Sequence, residues 1–345
     1  MELETGAVAE QTAAVTRATG KRSDRRRRAG RWRRGAFGAL IAGAVVLPLA
    51  GAARPAVPAP APASLAPLTA STLDAAYTAN RANAAEASRM AAADGNDERA
   101  AADRSMADPS RRFLSFDGRG PGQATEVFGD LAHADRVAVL VPGSDTSVDT
   151  YDRFRAGALA LHERLEREAP EGVRTAVVAW LGYRTPDTVS ATVLTAGRAE
   201  QAAPHLREFI GELRRTAGPN ADISLLCHSY GTVVCGRAAA GLDVSDIALV
   251  GSPGTGADSA AALHTPARVW AARGGDDWIA EVPHVEADLF GTTVGFGTDP
   301  VSPAFGAHVF AAGSGGHSNY FRPGSASLAN LTRIVLGDTK AVTRA

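Results

Sequence analysis

The stretch from Asp222 to Ala240, DISLLCHSYGTVVCGRAAA, leaves this chain few ways to fold. An apolar run, Ile223 to Leu226, reaches Cys227-His228-Ser229-Tyr230-Gly231 and passes at once into helix-forming sequence. Strand, sharp turn and helix in that order make a nucleophile elbow, in which a serine sits at the apex and small neighbours let the backbone turn. Ser229 is the candidate nucleophile. The pattern departs from G-x-S-x-G in its first place, where Cys227 stands for glycine. Were Cys227 to crowd Ser229 away from a base, the fold would survive and the chemistry would not. A five-residue motif is a chance match often enough that the rest of the chain has to carry the assignment.

The chain is long and apolar enough for one large domain with appendages: 345 residues, 45% hydrophobic and 21% charged. Its formal net charge of -1 hides an asymmetry. Residues 1–53 carry ten Lys or Arg and four Asp or Glu, a net of +6, which leaves -7 for residues 54–345. A mildly acidic body argues against nucleic acid as its partner. The two cysteines, Cys227 and Cys235, flank the elbow and are too few for a disulfide scaffold or a zinc site. They read as small buried residues, with a bridge between them open if the chain is exported.

Lys21 to Arg34 is strongly basic and runs into Gly35 to Ala53, nineteen residues without a charge. That is the order of a secretory n-region and h-region, and Ala50-Gly51-Ala52 offers an A-x-A cleavage site. Nineteen apolar residues also just reach the length of a membrane anchor. Residues 1–53 are therefore expected to act as a signal peptide or anchor, placing the body outside the cytoplasm, free or held at the membrane by residues 35–53. Residues 54–69 form an Ala/Pro-rich linker, extended and contributing no core. Residues 70–108 form an N-terminal helical arm: Ser71-Thr72-Leu73-Asp74 reads as a capping box, an Ala-rich helix runs to about Ala93, and a second, short helix follows Gly95-Asn96-Asp97 to about Met106.

From Arg112 onwards the pattern turns to strands. Phe113 to Phe116 and Ala124 to Phe128 suggest an antiparallel opening pair. Val137–Val141, Thr175–Trp180, the elbow strand, Ile247–Val250 and Val269–Ala272 are apolar runs of the kind buried on both faces of a sheet, with amphipathic helical sequence at Tyr151–Leu165 and Leu206–Leu213. The segment holding His264 is expected to be the helix before the last of these strands. The alternation predicts an α/β fold with a mostly parallel central sheet and helices on both faces, and it places Pro142-Gly143-Ser144-Asp145 and Gly274-Gly275-Asp276-Asp277 at the carboxyl ends of strands, where sites form.

A serine hydroxyl needs a base to take its proton, and that base needs an acid. Asp277 is the candidate acid; Asp276 is its rival, and either could instead be a helix cap. Among the histidines, His133, His162, His205, His228 and His264 are set aside by position, His228 because it points away from Ser229. His317 lies in Gly313-Ser314-Gly315-Gly316-His317-Ser318-Asn319-Tyr320, a Gly-rich loop after the strand-like His308 to Ala312, and is the candidate base. His308 reads as packed and His284 as a solvated loop residue. The backbone N–H groups of Tyr230 and Ser144 are the expected oxyanion donors, Asp145 is next in line, and Gly143 is expected to permit the backbone bend. Asp145, Trp180, Tyr183 and Trp278 are the residues expected at the substrate, with Tyr230 and Phe305 as further aromatic candidates for an acyl pocket. No metal cluster and no phosphate-binding loop is visible, and no cofactor is expected.

Val141-Pro142-Gly143, Ala179-Trp180-Leu181-Gly182-Tyr183, His228-Ser229-Tyr230-Gly231, Asp276-Asp277-Trp278-Ile279 and Gly316-His317-Ser318-Asn319-Tyr320-Phe321 together resemble the α/β-hydrolase superfamily. More narrowly, they resemble an actinobacterial α/β-hydrolase family of unassigned substrate. The resemblance covers roughly Ala70 to Leu336. It implies an α/β-hydrolase domain over residues 109–345 and a Ser-Asp-His site on Ser229, Asp277 and His317. Trp278, where a proline is usual, is a departure that bears on the pocket. The resemblance implies no substrate; cleavage of a small-molecule or lipid-like acyl ester through an acyl-enzyme is the default expectation. Acyl transfer or amide cleavage would use the same residues, and a non-catalytic envelope protein could keep the same fold.

Overall fold

The computed structural model describes residues 57–188, 190–282, 286–289 and 292–345. The basic run, the uncharged segment 35–53 and His284 lie outside the described residues. No helix among the described residues is long and apolar enough to cross a membrane.

Eight strands form one sheet: β1 Phe113–Asp117, β2 Gln123–Gly129, β3 Arg136–Val141, β4 Thr175–Leu181, β5 Asp222–His228, β6 Asp246–Val250, β7 Arg268–Ala272 and, after a separate two-stranded hairpin (β8 Glu286–Leu289, β9 Thr292–Gly295), β10 His308–Val309. Their order is β1-β2-β4-β3-β5-β6-β7-β10. The β1–β2 and β2–β4 pairs are antiparallel and all later pairs are parallel. The mostly parallel sheet with an antiparallel opening pair is the one expected.

The apolar strands separate two buried layers because successive side chains point to opposite faces. Val137, Val139 and Val141 of β3 join one layer, while Ala138 and Leu140 join the other. Helices α4 Gly197–Ala217 and α5 Gly231–Ala238 cover the first face; α3 Tyr151–Glu168 and α6 Ala326–Leu336 cover the second. The arm helices are α1 Leu73–Ala93 and α2 Asp97–Met106. Helix α1 packs beside β1 and gives Leu73 and Tyr77 to one layer, Ala84 and Ala87 to the other.

Polar side chains fasten the arm as well. Arg99 is buried, pairs through two bonds of 2.5 and 3.0 Å with Asp149, and donates to the carbonyls of Gly118 and Gly120. Asn80 donates to the Phe113 carbonyl, and Arg111 at the arm's end forms a buried two-bond pair with Glu126 of β2.

Several local expectations change. The capping box is not made: Thr72 is the N-cap of α1 without a side-chain cap bond, because its hydroxyl turns back to the carbonyls of Pro67 and Thr69. The linker is not free of contacts either, since Ala59 and Leu68 pack on the core layers and Asn83 donates to the Ala61 carbonyl. No helix stands between β6 and β7 beyond the single turn Ala261–Leu263, which His264 ends in a left-handed conformation, φ 51°. The expected strand at His308 to Ala312 shrinks to two residues, followed by a lone bridge from Phe310 to Arg344. Cys227 and Cys235, read as two small buried residues, are buried and joined by a disulfide that ties the end of β5 to α5.

Candidate active site

Strand β5 ends at His228, and α5 begins at Gly231. Between them Ser229 has φ 54°, a left-handed conformation that costs a non-glycine residue on the order of 1–3 kcal/mol. The surroundings hold it there. The Ser229 N–H donates to the Val250 carbonyl (3.0 Å), and the Thr232 hydroxyl donates to the Ser229 carbonyl (2.6 Å). Cys227 does not crowd the site, for strand alternation carries its side chain into a core layer and the disulfide keeps it there.

The Ser229 Oγ is 2.8 Å from His317 Nε2, and His317 Nδ1 is 2.9 and 3.1 Å from the two carboxylate oxygens of Asp277. A carboxylate only accepts, so Nδ1 carries the proton and Nε2 is left to accept from the serine hydroxyl. Asp277 is buried, and Asp276 beside it is exposed. Asp277 also caps the short turn Trp278–Glu281 through a 2.9 Å bond from the Ile279 N–H, so the capping role and the partnership with His317 fall on one residue. Burial alone would raise this carboxyl. Hydrogen bonds from His317, Tyr320 and the Ile279 amide outweigh it and hold the group below its ordinary value.

Two neighbours escaped the sequence reading. The Tyr320 hydroxyl donates to Asp277 Oδ2 (2.5 Å) and accepts from the Gly274 N–H (3.0 Å), so it joins the acid loop to the histidine loop. Its position three residues after His317, as a buried aromatic with a polar tip, was the available signal. His228, set aside by position, is not idle: its Nε2–H donates to the His317 carbonyl (2.7 Å), and its ring lies 4.8 Å from that of His317. Burial, with the nearby His317, pulls His228 down to about 4, so it stays a neutral donor.

The β3 loop reaches the serine closely. A Cβ at Gly143 would lie 2.5 Å from Ser229 Cβ and 3.0 Å from its Oγ, so glycine is required by contact and not, as expected, by a backbone bend. Ser144 follows on the same loop and lines the cleft with Ser229. The Asp145 N–H is taken by the Pro186 carbonyl (3.1 Å), which removes it as the alternative donor. Asp145 lines the cleft, with Oδ1 accepting from the Thr188 N–H (2.9 Å).

The site opens on a cleft of about 720 Å³. Trp278 lines it, 51% exposed, with its ring 4.6 Å from that of His317. Tyr230 also lines it, its hydroxyl donating to the Thr195 carbonyl. Trp180, Tyr183 and Phe305 do not line the cleft. Trp180 is buried between Tyr183 and Phe209 because its strand position faces the helix layer, and Phe305 lies in the same layer. Tyr183 works from behind, donating to the Pro142 carbonyl (2.7 Å) and bracing the loop that carries Ser144. His308 rests on Trp270 at 5.0 Å, away from the cleft. Among the described residues no cluster suited to a metal ion occurs.

A family model described as alpha/beta hydrolase matches residues 117–287, which include Ser229 and Asp277. The uncharacterized protein Rv2079 of Mycobacterium tuberculosis is 32% identical over 255 residues, 65% of this chain and 38% of its own length. A second from that organism, Rv0963c, is 36% identical over 137 residues, 37% of this chain and 50% of its own. The chain thus spans half or less of the length of these relatives. A solved structure, XC6422 from Xanthomonas campestris, titled a member of the a/b serine hydrolases without a lid, aligns with a TM-score of 0.41 at 18% identity, over 68% of this chain and 95% of its own. With the family match running over β2 to β7 and the elbow, and with the strand order around them, the chain has the α/β-hydrolase fold and is similar to uncharacterized mycobacterial proteins.

Proposed function

We propose that the protein is an exported serine hydrolase that cleaves an acyl ester. The observation that carries the reading is the hydrogen-bonded chain from Ser229 Oγ through His317 to Asp277, at the floor of an open, mainly apolar cleft. Ser229 attacks the acyl carbonyl as His317 Nε2 takes its proton, and Asp277 stabilises the cation that forms. The oxyanion is met by the Tyr230 N–H at the start of α5 and by the Ser144 N–H on the loop pressed against the serine. Collapse passes the proton to the leaving oxygen, and water then releases the acyl group by the same route. A lipid-like acyl chain suits the apolar wall.

With a p-nitrophenyl ester as substrate, Ser229→Ala and His317→Ala are expected to lose at least a thousandfold in kcat, whereas His308→Ala stays within about threefold. Loss in His308→Ala with activity kept in His317→Ala would overturn the assignment of the base.

Export is supported by the basic run before residues 35–53 and by the buried Cys227–Cys235 disulfide, since such bonds persist in oxidising compartments. Alkylation of the native protein recovered from culture medium or cell envelope should find no free thiol, and N-terminal sequencing should show whether residues 1–53 are retained. Recovery in the cytoplasm with two free thiols contradicts export.

A further inference from the structure

Several arginines among the described residues are tied down by carboxylates. Arg99, Arg111, Arg119, Arg136, Arg268 and Arg273 each hold a carboxylate. Two arginines that line the cleft do not: among the described residues neither Arg153 nor Arg322 has an ion-pair or side-chain hydrogen-bond partner, and both are exposed. They belong to one wall. Gly157 follows Arg153 by one turn on the same face of α3, and a Cβ there would lie 3.0 Å from Phe321 Cβ, next to Arg322. Elsewhere the lining carries the apolar residues Leu194, Ile279, Val282 and Phe296 among hydroxyl and amide side chains. Among the described residues Asp145 is the sole carboxylate of the lining, and one of its oxygens is already held by the Thr188 amide. In a body whose formal charge is -7, the unpaired side-chain charges of this wall are both positive.

We infer that the substrate of this site is an acyl ester carrying an anionic group, a carboxylate or a phosphate, held against the α3 wall by Arg153 and Arg322 while its apolar part lies on the remaining wall. The inference rests on the hydrolase reading of Ser229. A guanidinium fork matches both groups by paired hydrogen bonds, and a cationic cleft on an acidic body offsets the repulsion an anion would otherwise meet.

Two matched ester pairs test it: the mono-p-nitrophenyl ester of adipic acid against p-nitrophenyl hexanoate, with the charge on the acyl side, and the hexanoyl ester of 4-hydroxybenzoate against that of its methyl ester, with the charge on the leaving side. The charged member of one pair should be preferred by roughly tenfold in kcat/KM at low salt, mainly through KM, and the preference should shrink in about 0.5 M NaCl. In Arg153→Gln/Arg322→Gln the charged-to-neutral ratio should fall towards one. No preference in either pair, or a preference that survives the double substitution, overturns the inference. Tryptophan fluorescence of Ser229→Ala, with Trp278 in the cleft as reporter, separates this from failure of the hydrolase reading. Hexyl phosphate and monomethyl adipate should each bind more tightly than hexanol and dimethyl adipate, the tighter of the two naming the anionic group. Selective anion binding without turnover of any ester would sink the hydrolase reading and leave the anion site standing. Turnover of neutral and charged esters alike would do the reverse.

Discussion

At the scale of single residues, the partners around the proposed site hold each polar atom in one state. Asp277 is the clearest case, because three donors converge on one buried carboxylate and keep it charged against the cost of burial. Its depressed titration contributes stability that is fully present above the ordinary carboxyl value of about 4 and is lost as pH falls through the lower folded value. In Tyr320→Phe one donor disappears and the Gly274 N–H loses its acceptor. The variant is expected to unfold about 2 kcal/mol more easily at pH 7, with a smaller deficit at pH 3, in denaturant titrations at both. Its kcat/KM should fall roughly tenfold, with the acid limb of the profile moved to higher pH. An unchanged profile and a deficit equal at both pH values would make Tyr320 a packing residue. Ser229, Asp277 and His317 were legible in the sequence because each follows an apolar strand in a loop whose residue types suit the role. Tyr320 and His228 were not, because sequence spacing places a residue on a loop and does not show where its side chain turns.

At the scale of elements, strands were read well and connections less so. Runs such as Val137–Val141 are apolar at every position, rich in β-branched residues and short, as a strand buried on both faces requires. The segment before β7 lacks an apolar stripe, and its helix was inferred from the rhythm of neighbouring units; turns fill it instead. The arm gave its helices through Ala-rich composition, but its fastening by buried Arg99 is a three-dimensional fact. That fastening has a weak point. Asp103 of α2 is buried beside the Arg99–Asp149 pair, and neither of its carboxylate oxygens has a partner among the described residues. Burial pushes it up to about 7; Arg99 works against the rise and Asp149 adds to it. The folded arm therefore binds this proton more tightly than the unfolded chain, and stability should decline as pH rises from about 4 to about 7 and then level off. Asp103→Asn is expected to be more stable than the parent by about 2 kcal/mol at pH 8 and to match it at pH 4, measured by denaturant unfolding. An equal difference at both pH values would contradict a buried, titrating Asp103.

At the scale of the whole molecule, three loops from the carboxyl edge of one sheet and a disulfide behind the elbow bring the serine to the floor of a cleft that is apolar on one wall and cationic on the other. Cys227 illustrates what the sequence could and could not tell. Its departure from glycine was visible, and its consequence was not, because strand alternation and the partner at Cys235 together decide where the sulfur goes. The central claim is that Ser229 is an activated nucleophile. Its most direct test is to treat the folded protein with a fluorophosphonate and locate the adduct by intact-mass and peptide mass spectrometry. One adduct per chain is expected, on the peptide containing Ser229, absent in Ser229→Ala and strongly slowed in His317→Ala. A folded protein that takes no label, or takes it on another residue, would contradict that claim.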